Sequence, residues 1–390
     1  MTLKLSAARA LPEDGAAGAL AGRVHRPGLG ASVVAVRAEG VVDVTPTFPT
    51  MRDLCETENP AQALRAAKGE LLGPLDPILA NADPSSRDPA RPWLLAPTDL
   101  HALKAAGVTF AISMLERVIE ERARGDLEKA AAIRGEMTAM IGDDLGRLKP
   151  GSPEAAKLKA HLISIGVWSQ YLEVGIGPDA EIFTKAQPMS AVGTGMEAGL
   201  HPISDWNNPE PEVVVVVTSR GAIVGATLGN DVNLRDVEGR SALLLSKAKD
   251  NNASTALGPF IRFFDDTFTL DDVRAAEVTL KVEGEDGFVL DGASSLKKIS
   301  RDPADLVKQL IGPHHHYPDG AVLFLGTLFA PIKDRDAPGK GFTHHMGDIV
   351  TIATPRLGAL VNRMRRSTEC EPWRYGVRAL MADLSKRGLL

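Results

Sequence analysis

Only two cysteines, Cys55 and Cys370, occur in 390 residues. They are too few and too far apart for a disulfide framework or a thiolate metal site, and a reducing, cytoplasmic setting fits them. Basic runs are also missing. The 44 Lys and Arg against 50 Asp and Glu leave a net charge of −6, with no basic patch interleaved with aromatics, so nucleic acid is not an expected partner. No stretch approaches the ~18 apolar residues of a membrane span. Lys4, Arg9, Glu13 and Asp14 break up the segment where a secretory signal needs a continuous apolar region. A G-x-S-x-G elbow is absent. Gly193, Gly195 and Ala198 do satisfy G-x-G-x-x-A, but Pro202 and Asn207-Asn208-Pro209 follow where a dinucleotide site requires a helix.

What is present is enough for a large core: 44% of the residues are hydrophobic, and the length predicts two or three domains. Residues 20–48 alternate β-prone runs (Ser32 to Val36, Val41 to Val44) with glycine-bearing turns, and a helix is expected around Ala61 to Lys68. A proline-rich connector from Asp83 to Pro92 marks the expected boundary between a small α/β N-terminal domain, 1–92, and a second domain, 93–390. Residues 113–140 have helical composition and spacing, and Ser152-Pro153 signals the start of another helix; an insertion at 113–165 is the expected lid. From Val174 onward short β runs dominate, interrupted by a helix capped by Asp302 and opened by Pro303. The fold class is α+β.

The chemistry concentrates between Asp205 and Phe260. Val213 to Val217 and Ala222 to Leu228 predict two strands joined by a Ser219-Arg220-Gly221 turn. If Thr218 faces Ala222, Glu210 stands opposite Asn230 and Glu212 opposite Leu228. Glu210 and Glu212, two apart on a strand, share one face. Asp231 would point away unless a bulge at Gly229 turns it back. Three carboxylates so gathered are costly without a cation, and oxygen-only donors suit Mg²⁺, with Mn²⁺ or Ca²⁺ as alternatives. His314 to His316 and the pair His344 and His345 lack ligand spacing and are expected as loop or cleft-lining residues.

An ordered set of short motifs adds to this. L-L-A-P spans 94–97, G-V-T-F 107–110, I-F-T-K 182–185, E-P-E 210–212, N-D-V-N-L-R-D 230–236 and L-G-P 257–259. L-F-L-G-T at 323–327, G-D at 347–348 and L-G-A-L-V-N at 357–362 complete it. In that order they resemble the fumarylacetoacetate hydrolase superfamily over residues 93–390, which implies a β-roll catalytic domain. The resemblance implies a divalent cation on Glu210, Glu212 and Asp231, with Lys249 as the site lysine. It also implies that Gly326, Thr327, Ser113 and Lys185 lie along a small sugar-acid substrate. Hydrolytic members carry a His-Glu pair that activates water; here Ser113 stands at the histidine position while Glu116 is kept. The resemblance therefore implies a lyase rather than a hydrolase, dehydrating a 2-keto-3-deoxy-pentonate to 2,5-dioxopentanoate in oxidative pentose catabolism. Glu116 and Lys249, its pKa depressed by the nearby cation, would share the acid and base roles. Hydrolysis of acylpyruvate-type β-diketo acids, and decarboxylation or tautomerisation of keto acids, are the alternatives within the superfamily. A cytoplasmic homo-oligomer, dimer or tetramer, is expected.

Overall fold

The computed structural model describes residues 3–123, 133, 148–164, 166, 168–327, 329, 331, 333–338 and 341–390. Within 111–123 the side chains of 111–113, 115, 116 and 120 fall outside the described set.

In chain order the strands are β1 (Leu20–Arg26), β2 (Gly30–Arg37), β3 (Gly40–Asp43), β4 (Glu70–Gly73), β5 (Trp93–Leu95), β6 (Ala102–Gly107), β7 (Glu181–Ala186), β8 (Glu197–Leu200) and β9 (Asn207–Asn208). They continue as β10 (Pro211–Val217), β11 (Ile223–Asp231), β12 (Asn233–Leu234), β13 (Thr255–Phe263), β14 (Glu277–Glu283), β15 (Val289–Ser295), β16 (Ala321–Phe324), β17 (Ile349–Thr354) and β18 (Gly358–Arg366). An 11-stranded sheet runs β4-β3-β2-β1-β13-β11-β10-β16-β6-β7, with β5 also paired to β1; a five-stranded sheet runs β15-β14-β17-β18-β8. Most pairings are antiparallel, with parallel β16–β6 and β18–β8 pairs. A mixed α/β architecture built on large sheets results.

β10 lies at the centre. Val213, Val215 and Val217 pack with Val278, Leu280 and Ile352 of the smaller sheet, while Val214 and Val216 pack on the opposite side with Val33, Leu257 and Phe324. All five valines are fully buried. A strand covered on both faces needs apolar residues at every position instead of alternation, which explains the unbroken valine run. Each such side chain contributes roughly 1.5–3 kcal/mol of burial.

Residues before the proline-rich connector enter the same sheet: β1 pairs with β13 as well as with β2 and β5. The connector itself is tied down, because Asn81 Nδ2 donates to the carbonyls of Asp88 at 3.0 Å and of Arg91 and Pro92 at 3.1 Å. Segment 83–92 thus separates two units along the chain but not within the sheet.

Helices Ala111–Ala123, Pro153–Ser164 and Gln170–Ile176 gather their own apolar cluster of Met114, Val118, Ile119, Leu162, Leu172 and Ile176. Ser152 Oγ accepts from the Ala155 N–H at 3.1 Å, which caps the second of them. Of the expected lid, 113–165, residues 124–132, 134–147 and 165 lie outside the described residues.

Candidate metal centre

The hairpin β10–β11 places the acidic residues, and its register differs from the expectation by one residue. The Thr218 N–H donates to the Ala222 carbonyl as expected, and Gly221 takes the turn's left-handed conformation at φ 79°. The register then shifts between Val216 and Val217, so that Glu212 pairs with Gly229 and Pro211 with Asn230. Asp231 consequently lies opposite Glu210, its N–H donating to the Glu210 carbonyl at 3.0 Å. A one-residue shift exchanges the two faces of a strand. It brings Asp231 to the glutamates' side without any bulge at Gly229. Gly229 has a packing reason instead: a Cβ there would fall 2.3 Å from the Phe324 ring and 2.7 Å from Val214.

Glu210, Glu212 and Asp231 each offer a carboxylate oxygen within 4.8 Å of the others, and all three are buried. Lys249, the last residue of helix Leu245–Lys249, donates through Nζ to Glu210 Oε2 at 2.5 Å and Asp231 Oδ2 at 3.2 Å. Lys185 on β7 is fully buried; its Nζ donates to the carbonyls of Lys249 and of Ser254, the latter at 3.0 Å. That nitrogen also stands 3.2 Å from Asp231 Oδ1, in an orientation that leaves Oδ1 without a well-formed hydrogen bond.

Glu212 Oε2 accepts from the Gly326 N–H at 2.6 Å. Gly326 has φ 90°, and a Cβ on it would sit 2.0 Å from Thr109 Oγ1. Thr109 in turn donates to the Leu325 carbonyl at 2.7 Å. The G-V-T-F and L-F-L-G-T segments therefore meet behind Glu212 and aim the Gly326 amide at it. Thr327 follows directly, its Oγ1 accepting from the Phe329 N–H at 3.1 Å.

The structure thus assembles Glu210, Glu212, Asp231, Lys249, Lys185, Gly326 and Thr327 in one place. Ser113 and Glu116 lie on helix Ala111–Ala123, but their side chains fall outside the described residues. The histidines are elsewhere. His314, His315 and His316 are exposed, and His344 is buried with its Nδ1 3.1 Å from Asp348 Oδ2.

Sequence reasoning missed Arg117, Glu238 and Glu181; the last lies on β7, where burial and the charge of Glu238 push its carboxyl up to about 7 while Arg117 and Lys249 pull against them. Arg117 Nη2 donates to Glu210 Oε1 at 2.6 Å, and its Nη1 lies 2.9 Å from Glu238 Oε2. Arg117 immediately follows Glu116 in the motif region; Glu238 follows the N-D-V-N-L-R-D motif by two residues. No pattern separates either from an ordinary surface charge.

Electrostatics favour a cation here. Burial pushes Glu212 well above the usual carboxylate range, and the charges of Asp231 and Glu210 add to it. Burial also raises Glu210, although Lys249 and Arg117 pull against it. For Lys249 burial works against the charge, but Asp231 and Glu210 outweigh it and hold the ammonium above its ordinary value. Three converging carboxylates, two of them resisting ionisation, and an under-bonded Asp231 oxygen fit a hard divalent ion.

Residues 188–365 match the family described as "Fumarylacetoacetate (FAA) hydrolase C-terminal". A 2-dehydro-3-deoxy-D-arabinonate dehydratase of Saccharolobus solfataricus is 31% identical over 189 residues, 48% of this chain and 59% of the relative. A protein of Haloferax volcanii named "Probable 2-keto-3-deoxyxylonate dehydratase" is 31% identical over 192 residues, 49% of this chain and 62% of the relative. The match spans about three fifths of each relative's length. Among solved structures, apo 2-keto-3-deoxy-D-arabinonate dehydratase superposes with a TM-score of 0.63 at 21% identity, over 89% of this chain and 99% of that one. The same enzyme complexed with magnesium and 2,5-dioxopentanoate gives 0.62 at 21% identity, with the same coverage. At these identities the superpositions establish the fold.

Proposed function

We propose, for a chain whose residues 188–365 match the fumarylacetoacetate hydrolase C-terminal family, that it is a Mg²⁺-dependent lyase converting a 2-keto-3-deoxy-pentonate to 2,5-dioxopentanoate. The observation that carries this is the buried group of Glu210, Glu212 and Asp231 with Lys249 against two of its members. The names of the two relatives supply the substrate class.

Glu210, Glu212 and Asp231 would hold the cation, which would supply Lewis acidity towards a 2-keto acid and so make its C3 protons more acidic. The protein's own residues do the rest. Lys249 is raised because Asp231, Glu210 and Glu238 attract its charge; with the oxygens of the first two committed to a cation, burial and that cation's charge would both shift the amine towards neutrality. Lys249 then takes a C3 proton, and Glu116, one residue before Arg117, protonates the departing C4 hydroxyl. The two roles are interchangeable between these residues. Gly326 and Thr327 hold the substrate carboxylate, and Ser113 and Lys185 complete its pocket. Ser113 in place of histidine leaves no His-Glu pair for water activation, which weighs against carbon-carbon bond hydrolysis.

Residues 93–390 form the catalytic domain in this reading, with 113–165 as its lid and 1–92 as the N-terminal domain. The protein works in the cytoplasm as a homo-oligomer. The test is incubation of the full chain with each C4 epimer of 2-keto-3-deoxy-pentonate and Mg²⁺ in D₂O, with products identified by mass. Loss of one water with deuterium incorporated on tautomerisation is expected. Faster cleavage of an acylpyruvate to pyruvate than dehydration of either epimer overturns the proposal.

A further inference from the structure

A second cavity, of about 410 Å³, opens between β5, the 189–196 segment and the 371–375 segment, and it shares no lining residue with the carboxylate cluster. Its volume is that of a small-molecule site. Three guanidiniums line it, those of Arg23, Arg87 and Arg374, against the single carboxylate of Glu371, in a chain whose net charge is −6.

The arginines are not fully used by the protein. Arg23 is 4% exposed; its Nη1 donates to the carbonyls of Ala96 at 3.3 Å and Thr98 at 2.6 Å, and its Nε stands 3.7 Å from Asp99, yet its Nη2 has no partner. Arg87 donates through Nη1 to Glu371 and through Nη2 to the Ala82 carbonyl, both at 2.9 Å, while its buried Nε has none. Arg374 is exposed and takes part in no hydrogen bond or ion pair among the described residues. Both of those nitrogens are solvent-inaccessible and stand behind the cavity wall, so the guanidinium open to an acceptor in the cavity is that of Arg374.

The walls are aromatic. The Arg87 guanidinium lies 4.7 Å over Trp93, which stacks on His25 with centroids 4.1 Å apart. Trp373 is fixed by an Nε1–H bond to the Tyr375 carbonyl at 3.1 Å, yet is 47% exposed. An indole held by its polar edge with its face uncovered is a stacking platform.

We propose that this cavity binds a flat aromatic carboxylate, its ring against Trp373 and its anionic end towards the arginines. Arg matches carboxylate in planar, paired hydrogen bonding, and the aromatic walls select an unsaturated ring over an aliphatic one. Because Asn252 and Ala253 line the cavity only three and four residues after Lys249, an occupant would rest on the segment that carries the site lysine.

The probe is 2-naphthoate, titrated against the full chain by tryptophan fluorescence and calorimetry. Two analogues, 2-naphthalenemethanol with the ring but no charge and cyclohexanecarboxylate with the charge but no aromatic ring, are the controls. Saturable binding is expected, at least tenfold weaker for either analogue and at least fivefold weaker in Trp373→Ala and Arg374→Gln. Both substitutions are at exposed positions, and an unchanged melting temperature verifies the fold. Binding is also expected to be indifferent to Mg²⁺ plus oxalate. The proposal is overturned if the neutral analogue binds equally well, if Mg²⁺ and oxalate displace the probe, or if no saturable binding occurs. It also fails if the chain self-associates through this face, shown by a shift in sedimentation that Trp373→Ala abolishes.

Discussion

Lys185→Met asks most of the site's architecture. The lysine has no exposed surface, and its Nζ serves two backbone carbonyls, those of Lys249 and Ser254, as well as standing 3.2 Å from Asp231. Methionine keeps the length and the packing, so no sizeable cavity opens; what disappears is the charge and its hydrogens. Removing one member of a buried ionic pair costs about 3–5 kcal/mol, because the remaining charge stays uncompensated. The Lys249 carbonyl keeps the Ser254 hydroxyl as a donor at 2.8 Å, and the loss of the donor to the Ser254 carbonyl falls within the same range rather than adding to it, since groups in one network are not additive. At roughly 2 °C per kcal/mol for a chain of this size, the melting temperature should drop by about 6–10 °C. With a cation competing lysine gone, Asp231 is left more negative, so millimolar Mg²⁺ should raise the melting temperature of the variant at least as much as that of the wild type. Differential scanning fluorimetry with and without Mg²⁺ reads both effects. A drop under about 2 °C would refute the idea that this lysine ties the Lys249 segment and β11 together. A Mg²⁺ response smaller than the wild type's would show that Lys185 helps the ligand set instead of competing for it.

Three further outcomes are expected. Glu212→Gln and Asp231→Asn should each abolish Mg²⁺-dependent thermal stabilisation and metal content measured by emission spectroscopy; unchanged Mg²⁺ affinity in both would remove the metal centre from the account. Lys249→Met and Glu116→Gln should each lower kcat by about 10²-fold or more while Mg²⁺ binding persists, and Ser113→His should gain weak acylpyruvate hydrolysis without faster dehydration. Glu181 is held up at about 7 by burial and by Glu238. An acid raised in the fold lends stability that is complete below its unfolded value near 4.3 and is lost as pH rises through 7, amounting to at most about 4 kcal/mol. Urea unfolding of Glu181→Gln should therefore match the wild type's at pH 4, allowing for a constant offset, and gain on it steadily towards pH 8; parallel profiles would contradict this.

Much of this site was legible because its pieces are local. Glu-x-Glu on a valine run, a turn with glycine at its left-handed position, and an aspartate shortly after it are adjacent in sequence, and strand periodicity places them together. The register shift at Val216 and Val217 escaped because an extra residue beside a turn leaves no compositional mark. Gly229 looked like a bulge signal and proved to be room for Phe324, a residue 95 positions away (324 − 229 = 95). Arg117, Glu238 and Glu181 come from three elements and become site residues only through tertiary packing. A depressed Lys249 is the expectation beside a bound cation, whereas the carboxylates that raise it here, Asp231 and Glu210, meet it only through the fold. The continuation of the large sheet into residues before the connector was equally hidden, since pairing between distant strands obeys no local rule.

That continuation bears on how the chain folds. β1 joins β13 through Leu20↔Arg262 and Ala21↔Ile261, a separation of 242 positions (262 − 20 = 242), and β13 pairs on its other side with β11, which carries Asp231. Contacts this distant are slow to form. During synthesis the early strands must wait until more than half the chain has left the ribosome before their sheet can close. Over that interval the part of β1 that later meets β13 presents unpaired backbone, the condition under which strands recruit neighbours from other molecules. Without residues 1–92, β13 would keep an open edge permanently, so a truncated catalytic unit is expected to be lost to aggregation before its chemistry can be measured.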